Sequence, residues 1–240
     1  MHKPHISVVT PVYGCSACLN QLHARLEAAL TTITSDYEII MVNDGSPDDA
    51  WETIKNLVGN DDRVKGVNLS GNYGQHQEST AGLEFANGDW VVVMDCDLQD
   101  QPEEIVKLYN QAISGFDIVF GRRNQRKDSL LKKLGSKVFY KLYDYFTESK
   151  IDNTVANFSI ISSKVVEKLR LLREQNRSYP LFVNCIGLTR TYVDVDHANS
   201  KNAKSSYTLQ QLVNLALDSI TPHSNTPLNI VFKFVFISYF

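Results

Sequence analysis

The chain lacks several features that would have set its class at once. It has no excess of one charge: 24 Lys and Arg face 27 Asp and Glu, a net of −3. Nothing in that balance draws it towards nucleic acid as a whole. It has only four cysteines, Cys15, Cys18, Cys96 and Cys185. Cys15 and Cys18 form a single C-x-x-C with no second pair and no paired histidines, so a zinc site is not completed. Reduced thiols in a cytosolic protein are the plain expectation. The opening "MHKPHISVVT" has no charged segment followed by a long apolar one, so no signal peptide is expected. No apolar run approaches the roughly 20 residues that cross a bilayer. The nearest is "PLNIVFKFVFISYF" at 227–240. It reads equally as a spanning helix cut short by the chain end, an interfacial anchor or a last core helix.

What the chain has is alternation. "ISVVTPV" (6–12), "YEIIMVND" (37–44), "VKGVNLS" (64–70), the run from Trp90 to Asp95, and "FDIVFGRR" (116–123) read as strands. Helical stretches separate them at 16–33, after "GSP" (45–47), at 74–88 and at 102–114. Ser46 is the expected N-cap of the second helix with Pro47 in its first position, and Gly88 is the expected end of the third. This repeat implies an α/β fold with one mostly parallel sheet flanked by helices. Ligands of such sheets bind beyond the carboxyl ends of the strands. Tyr13, Asn43 to Ser46, Asn72, Asp95 to Gln99, Arg122 and Arg123 all fall there.

The stretch "VVVMDCDLQDQP" (91–102) carries the chemistry. A run without polar interruption suits a strand buried on both faces. Asp95, Asp97 and Gln99 then follow at intervals of two, which in an extended chain puts them on one side. Two carboxylates that close repel unless a cation lies between them. Oxygen-only donors suit Mg²⁺ or Mn²⁺. A polar strand end leading into a helix at Pro102 would have the same appearance.

After residue 123 the pattern changes. "SLLKKLGSKVFYKLYDYF" (129–146) reads as an amphipathic helix whose Lys132, Lys133, Lys137 and Lys141 can meet anionic lipid. An ordinary surface helix fits the same residues.

Four stretches, "ISVVTPVYG", "YEIIMVNDGSPDDAWE", "LSGNYGQHQESTAGLEFANGDWVVVMDCDLQDQPEEI" and "DIVFGRR", fall in one order and spacing. In this the chain resembles family 2 glycosyltransferases, and most of all their polyprenyl-phosphate branch, the one that includes dolichol-phosphate mannose synthase. The likeness runs over about residues 5–222 and implies a GT-A fold, here a single domain over 1–226, with 227–240 as a membrane-proximal extension. It also implies that Pro11 and Tyr13 lie on the loop holding the base, and that Asp44 contacts the nucleoside. Asp95, Asp97 and Gln99 would hold the metal and diphosphate, with Asn72, Arg122 and Arg123 about the donor. Arg177 in "EQNRSYP" would face the acceptor, and Lys204 and Tyr207 would lie near a lid. The implied reaction is metal-dependent, inverting transfer from a nucleotide sugar to a polyprenyl phosphate or lipid-linked saccharide in cell-surface glycan synthesis. The implied cofactor is Mg²⁺ or Mn²⁺. The expected partners are the nucleotide-sugar donor, the lipid-linked acceptor and the membrane surface at its cytoplasmic face, with no nucleic acid; a homo-oligomer is compatible with the pattern.

The chain departs from that pattern in places. Asn43 replaces a first aspartate, Ala203 replaces a lid glycine, and Asn157 in "VANFSII" stands where the branch often has aspartate. An amide cannot act as a general base. A lipid phosphate, already anionic, needs none; for a sugar hydroxyl the candidates are Asp100 and Asp152. His76 reads as a helix-start residue, His197 as polar strand-end surface, Trp51 and Trp90 as core. Two other classes compete. A nucleotidyltransferase would want a glycine-rich basic loop after the first strand, and "PVYGCSACLN" has one glycine and no Lys or Arg. A catalytically silent nucleotide-sugar-binding scaffold would not need the Asp95, Asp97 and Gln99 set.

Overall fold

The computed structural model describes residues 4–123, 155–171, 183 and 186–198. The chain divides into two units, residues 1–124 with 154–200 and residues 125–153 with 201–240, and every described residue belongs to the first. The expected amphipathic helix at 129–146, the boundary at 226 and the tail at 227–240 lie outside the described residues.

The strands are β1 (Ile6–Val12), β2 (Tyr37–Asn43), β3 (Val64–Asn68), β4 (Trp90–Val93), β5 (Ile118–Arg123), β6 (Val155–Ser162) and β7 (Arg190–Val195). The helices are α1 (Ser16–Thr31), α2 (Ala50–Asn60), α3 (Gln75–Phe85), α4 (Ile105–Ile113) and α5 (Ser163–Leu171). They build one sheet in the order β3-β2-β1-β4-β6-β5-β7. Among the described strands only β6 runs against its neighbours, β4 and β5. All the other pairings are parallel.

Every residue of β1 and β2 is buried, as expected of strands covered on both faces. Successive side chains alternate between two cores. Ile6, Val8, Ile39, Met41 and Val92 pack with Leu19, Leu22 and Leu26 of α1, Ile54 of α2 and Leu108 of α4. Val9, Ile40, Val42, Val91 and Val93 pack with Leu83 of α3 and Val165 and Leu169 of α5. The result is three layers, with α1, α2 and α4 on one face and α3 and α5 on the other. Helix α3 comes close because residue 82 is glycine: a Cβ there would lie 2.3 Å from Val9 Cγ1 and 3.0 Å from Val42 Cγ2.

Three expected helix boundaries move. Helix α2 starts at Ala50 after Asp49, so Ser46 and Pro47 stay in the preceding loop. Helix α3 ends at Phe85, capped at Ala86 rather than Gly88. The α3 end is closed by Arg170 of α5, whose guanidinium donates to Leu83 O and Ala86 O, both at 2.6 Å. At 102–114, a 3-10 turn (Pro102–Glu104) precedes α4.

Candidate active site

The sheet order reverses between β1 and β4, the first two strands followed outward in opposite directions. That reversal is where open α/β sheets bind ligands. The chain opens a crevice there. The last β1–β4 pair is Val9 with Val93, whereas β1 continues beside β2 to Val12. Val9 O accepts from Met94 N, so odd residues of β1 face β4. Pro11 lies beyond the last pair on that side, and its missing N–H costs no ladder bond. Pro11 is therefore a buried strand residue and not, as expected, part of the loop. The loop begins at Tyr13, whose ring is 51% exposed.

Three loops are tied together at this edge. Asp48 accepts from Ser46 Oγ at 2.6 Å and from Ser16 N at 2.8 Å, and Ser46 Oγ accepts from Gly14 N at 2.7 Å. These bonds join the end of β1 to the end of β2. Gly45 has φ +63°, and a Cβ there would lie 3.1 Å from the backbone of Gly71; the turn and the close approach both require glycine. That approach brings the exposed Asn72 beside the β2 loop.

Asp44 is fully buried. Its carboxylate accepts from Tyr73 N at 2.8 and 2.9 Å and from Gly74 N at 2.7 Å. It thus fixes the entry to α3 and does not offer a free carboxylate to a ligand. Glu78, one turn into α3, is also buried. Burial first, then a hydrogen bond to Asp44 and the fields of Asp44 and Asp95, push its carboxyl up to about 8. At neutral pH it holds a proton and donates it to Asp44.

The Asp95–Gln99 loop lies at the mouth. Thr10 Oγ1 donates to Met94 O at 2.7 Å, and Cys15 Sγ to Cys96 O at 3.2 Å, anchoring the loop to β1 and the start of α1. The alternation expected of an extended chain does not hold here. Strand β4 stops at Val93, and Leu98 takes φ +62°, a conformation that costs about 1 kcal/mol or more for a residue with a Cβ. The bend turns Asp97 back, so that its Oδ1 accepts from Gln99 N at 3.0 Å. Gln75 at the start of α3 donates to Asp95 Oδ1. Gln99 meets His197, which follows β7, at 3.0 Å. Asp100 is 1% exposed and faces the same histidine, so it is withdrawn from any acceptor and the expectation of a base there fails.

The donor chemistry fits a hard divalent ion. Asp95, Asp97 and Gln99 offer oxygen, and among the described residues no basic side chain pairs with Asp97. No three His, Cys, Asp or Glu side chains converge among those residues. An ion there would draw its remaining ligands from substrate phosphates and water, as Mg²⁺ commonly does.

At the far side of the crevice Arg122 donates to Asp194 Oδ1 at 2.7 Å; of Arg123 the backbone pairs with Val195. Asp152, Arg177 and Lys204 lie outside the described residues. Sequence reasoning did not single out Gln75, Glu78 or Asp48. The polar surroundings of Glu78 in "QHQEST" gave no signal of its burial. A cavity of about 500 Å³ on the opposite edge is lined by Glu38, Lys65, Ser163, Glu167 and Arg170 among others. Lys65 pairs with Glu38, and Arg170 holds carbonyls of α3.

The family model of glycosyl transferase family 2 matches residues 7–170. The undecaprenyl-phosphate 4-deoxy-4-formamido-L-arabinose transferase of Aeromonas hydrophila is 33% identical over 227 residues, covering 94% of this chain and 70% of that protein. An uncharacterised glycosyltransferase of Synechocystis sp. is 34% identical over 226 residues, covering 94% of this chain and 71% of its own length. Among solved structures, a Pyrobaculum calidifontis mannosyltransferase in complex with GDP-Man and Mn²⁺ superposes with a TM-score of 0.60 at 12% identity. This chain is covered over 85% and spans 59% of that one. The Mycobacterium tuberculosis glucosyl-3-phosphoglycerate synthase, with Mn²⁺, UDP and phosphoglyceric acid, gives 0.61 at 15% identity, over 91% of this chain and 77% of that one. With the sheet order and the loops at its carboxyl edge, these likenesses identify the chain as a glycosyltransferase of family 2 with a GT-A fold.

Proposed function

We propose that this enzyme moves a sugar, with inversion, from a nucleotide-sugar donor to a polyprenyl phosphate at the cytoplasmic face of the membrane, using a divalent cation. The observation that carries this reading is the Asp95–Gln99 loop, strained at Leu98 and placed where β1 and β4 part. The A. hydrophila relative, named for undecaprenyl phosphate, supports the acceptor class.

In this reading Tyr13 offers its exposed ring to the base. Asp44 serves the nucleoside indirectly, by holding the backbone of Tyr73 and Gly74. Asn72, Arg122 and Arg123 border the donor phosphates, and Lys204 reaches the donor from beyond the described residues. The cation at Asp95, Asp97 and Gln99 supplies Lewis-acid stabilisation of the leaving diphosphate. An acceptor phosphate oxygen attacks the anomeric carbon from the opposite face. The new C–O bond forms as the bond to the diphosphate breaks, and its electron pair leaves with the nucleotide. The sugar passes through an oxocarbenium-like state. Arg177 faces the acceptor in this scheme.

The acceptor side is consistent with a phosphate. Strand β6 runs against β4 with Ser159 opposite Val93. Asn157 lies two residues before Ser159 on the same strand. An amide there cannot take a proton as a base, and an anionic phosphate requires no base. Asp152 is needed only if the acceptor is a sugar hydroxyl.

Attachment to the membrane is proposed through 129–146 and 227–240, with lysines at anionic headgroups and the apolar tail in the acyl region. Among the described residues no helix is long and apolar enough to cross a membrane. The test is a panel of UDP-, GDP-, dTDP- and CDP-sugars with undecaprenyl phosphate in detergent, with and without EDTA. A lipid-linked product of inverted anomeric configuration that disappears with EDTA is expected. Full transfer in EDTA overturns the metal role, and product only with free saccharides overturns the acceptor.

A further inference from the structure

Three of the four cysteines, Cys15, Cys18 and Cys96, are free thiols that meet where the start of α1 touches the Asp95–Gln99 loop. Sugar transfer uses none of them. Cys15 is the N-cap of α1, and Cys18 stands in its first turn. Cys18 N donates to Cys15 O at 3.0 Å, which fixes that turn. Residues three apart in such a turn have Cα atoms about 5 Å apart, within the range a disulfide spans. The thiols are in contact, for Cys15 shares hydrogen bonds with the thiols of Cys96 and Cys18. Cys18 is partly exposed, whereas Cys15 and Cys96 are buried. A reagent in solvent therefore reaches Cys18 first, and Cys15 is the thiol beside it.

Cys15 also holds the loop. Its Sγ donates to Cys96 O at 3.2 Å, and among the described residues that carbonyl has no other donor. The bond ties the backbone between Asp95 and Asp97 to α1. The other anchor, from Thr10 to Met94 O, lies just before the loop. Sulfur in a disulfide carries no proton. Closing Cys15 onto Cys18 therefore removes the donor, leaves Cys96 O unpaired, and takes away one of the two anchors.

We infer that Cys15 and Cys18 are a redox-active pair whose closure to a disulfide releases the Asp95–Gln99 loop from α1. The oxidant is a small-molecule disulfide. The Cys18 sulfur attacks it and the oxidant's S–S bond breaks. One half leaves as a thiol with the Cys18 proton, and the other stays on Cys18 as a mixed disulfide. The Cys15 sulfur then attacks Cys18, and the second half leaves as a thiol with the Cys15 proton. Two protein thiols lose two electrons, and one disulfide becomes two thiols. In reducing compartments such bridges are transient and report on redox state. Burial, then the hydrogen bond with Cys15, pushes the Cys18 thiol up to about 11. The exchange is therefore slow near neutrality, and the test is run at pH 8.5.

Two measurements on the full chain test this, both with EDTA present. The protein is brought to equilibrium with excess oxidised glutathione, trapped in acid and mapped by mass spectrometry. The peptide carrying both Cys15 and Cys18 should lose two hydrogens, and dithiothreitol should restore them. Free thiols at equilibrium, a glutathione left standing on Cys18, or a bridge from Cys15 to Cys96 overturns the inference. The second measurement is hydrogen exchange over residues 94–99. These amides should exchange about 2- to 10-fold faster in the oxidised chain, as expected for the loss of one hydrogen bond. Cys15→Ala should show the faster exchange with no oxidant. Cys18→Ser should form no bridge at Cys15 and keep the slow exchange with oxidant present. Equal exchange in the oxidised and reduced wild type overturns the release, as does oxidant-dependent exchange in Cys18→Ser. Neither measurement needs a bound cation, so a failure here is distinct from a failure of the metal reading.

Discussion

Replacing Glu78 by glutamine should stabilise the protein, and by an amount that grows with pH. The carboxyl is raised from 4.5 to about 8, first by burial and then by Asp44, which shares its hydrogen bond and adds its charge. Between those two values the folded chain holds a proton that the unfolded chain has released. Stability therefore falls as pH rises: the favourable contribution is complete below about 4.5 and lost as pH rises through about 8. At about 1.4 kcal/mol per pH unit, the wild type loses about 3 kcal/mol from this group between pH 4.5 and 7, and about 4 kcal/mol by pH 9. Glutamine keeps the shape and can donate to Asp44 at every pH, so the variant does not incur this loss. The assay is urea unfolding of both proteins with EDTA present, at pH 4.5, 6, 7 and 8.5. The two should converge at the lowest pH and separate by about 3 kcal/mol at pH 7. A constant difference across the range, or a variant less stable at pH 8.5, would refute a protonated Glu78 bonded to Asp44.

Three further outcomes follow from the same structure. Asp97→Ala should lower turnover by about 1,000-fold or more, as read in the transfer assay. Its unfolding free energy should stay within about 0.5 kcal/mol of wild type, since the side chain is exposed; retained turnover would remove Asp97 from the site. Arg170→Ala should cost about 2 kcal/mol in urea unfolding, because the guanidinium closes the end of α3 through the carbonyls of Leu83 and Ala86. Gly82→Ala should cost about 1–3 kcal/mol, since its Cβ would press on Val9 and Val42; an unchanged midpoint would show that α3 can move off the sheet.

The strands legible in the sequence are those buried on both faces. Strands β1, β2 and β4 read as unbroken apolar runs because each has helices above and below. Strand β7 did not, because it is the edge: in "RTYVDV" only Val195 is buried, and polar residues are tolerated at the rest. Strand β6 lies between β4 and β5 although it follows both in sequence. Pairing across that distance leaves no mark on local periodicity, so its place in the sheet was invisible. The Asp95–Gln99 loop was legible as chemistry and not as geometry: the residue types pointed to oxygen donors, but alternation along an extended chain gives no sign of the bend at Leu98, nor of the contact between Gln99 and His197 about a hundred residues away. Asp44 shows the opposite error. Its place after β2 was read correctly, yet its carboxylate is taken up by the backbone of the next loop, because a buried carboxylate is stable only where donors surround it.

Depth separates two ways of handling negative charge in this crevice. Asp44, Glu78, Asp95 and Asp97 all lie at or beneath the edge where the proposed function puts an anionic diphosphate. Four ionised carboxylates there would repel one another and the donor. In the buried half the repulsion is relieved by a proton: Glu78 stays protonated, Asp44 accepts from it and from two backbone N–H groups, and the entry to α3 is fixed before any ligand arrives. No such relief is available to Asp97, which is exposed and has only the Gln99 N–H among the hydrogen bonds described. Its exposure leaves it open to the cation of the proposed mechanism. The buried pair thus builds the loop, and the proposed chemistry falls to the more accessible residues at its mouth. This division explains why removing a carboxylate should raise stability at Glu78 and abolish transfer at Asp97.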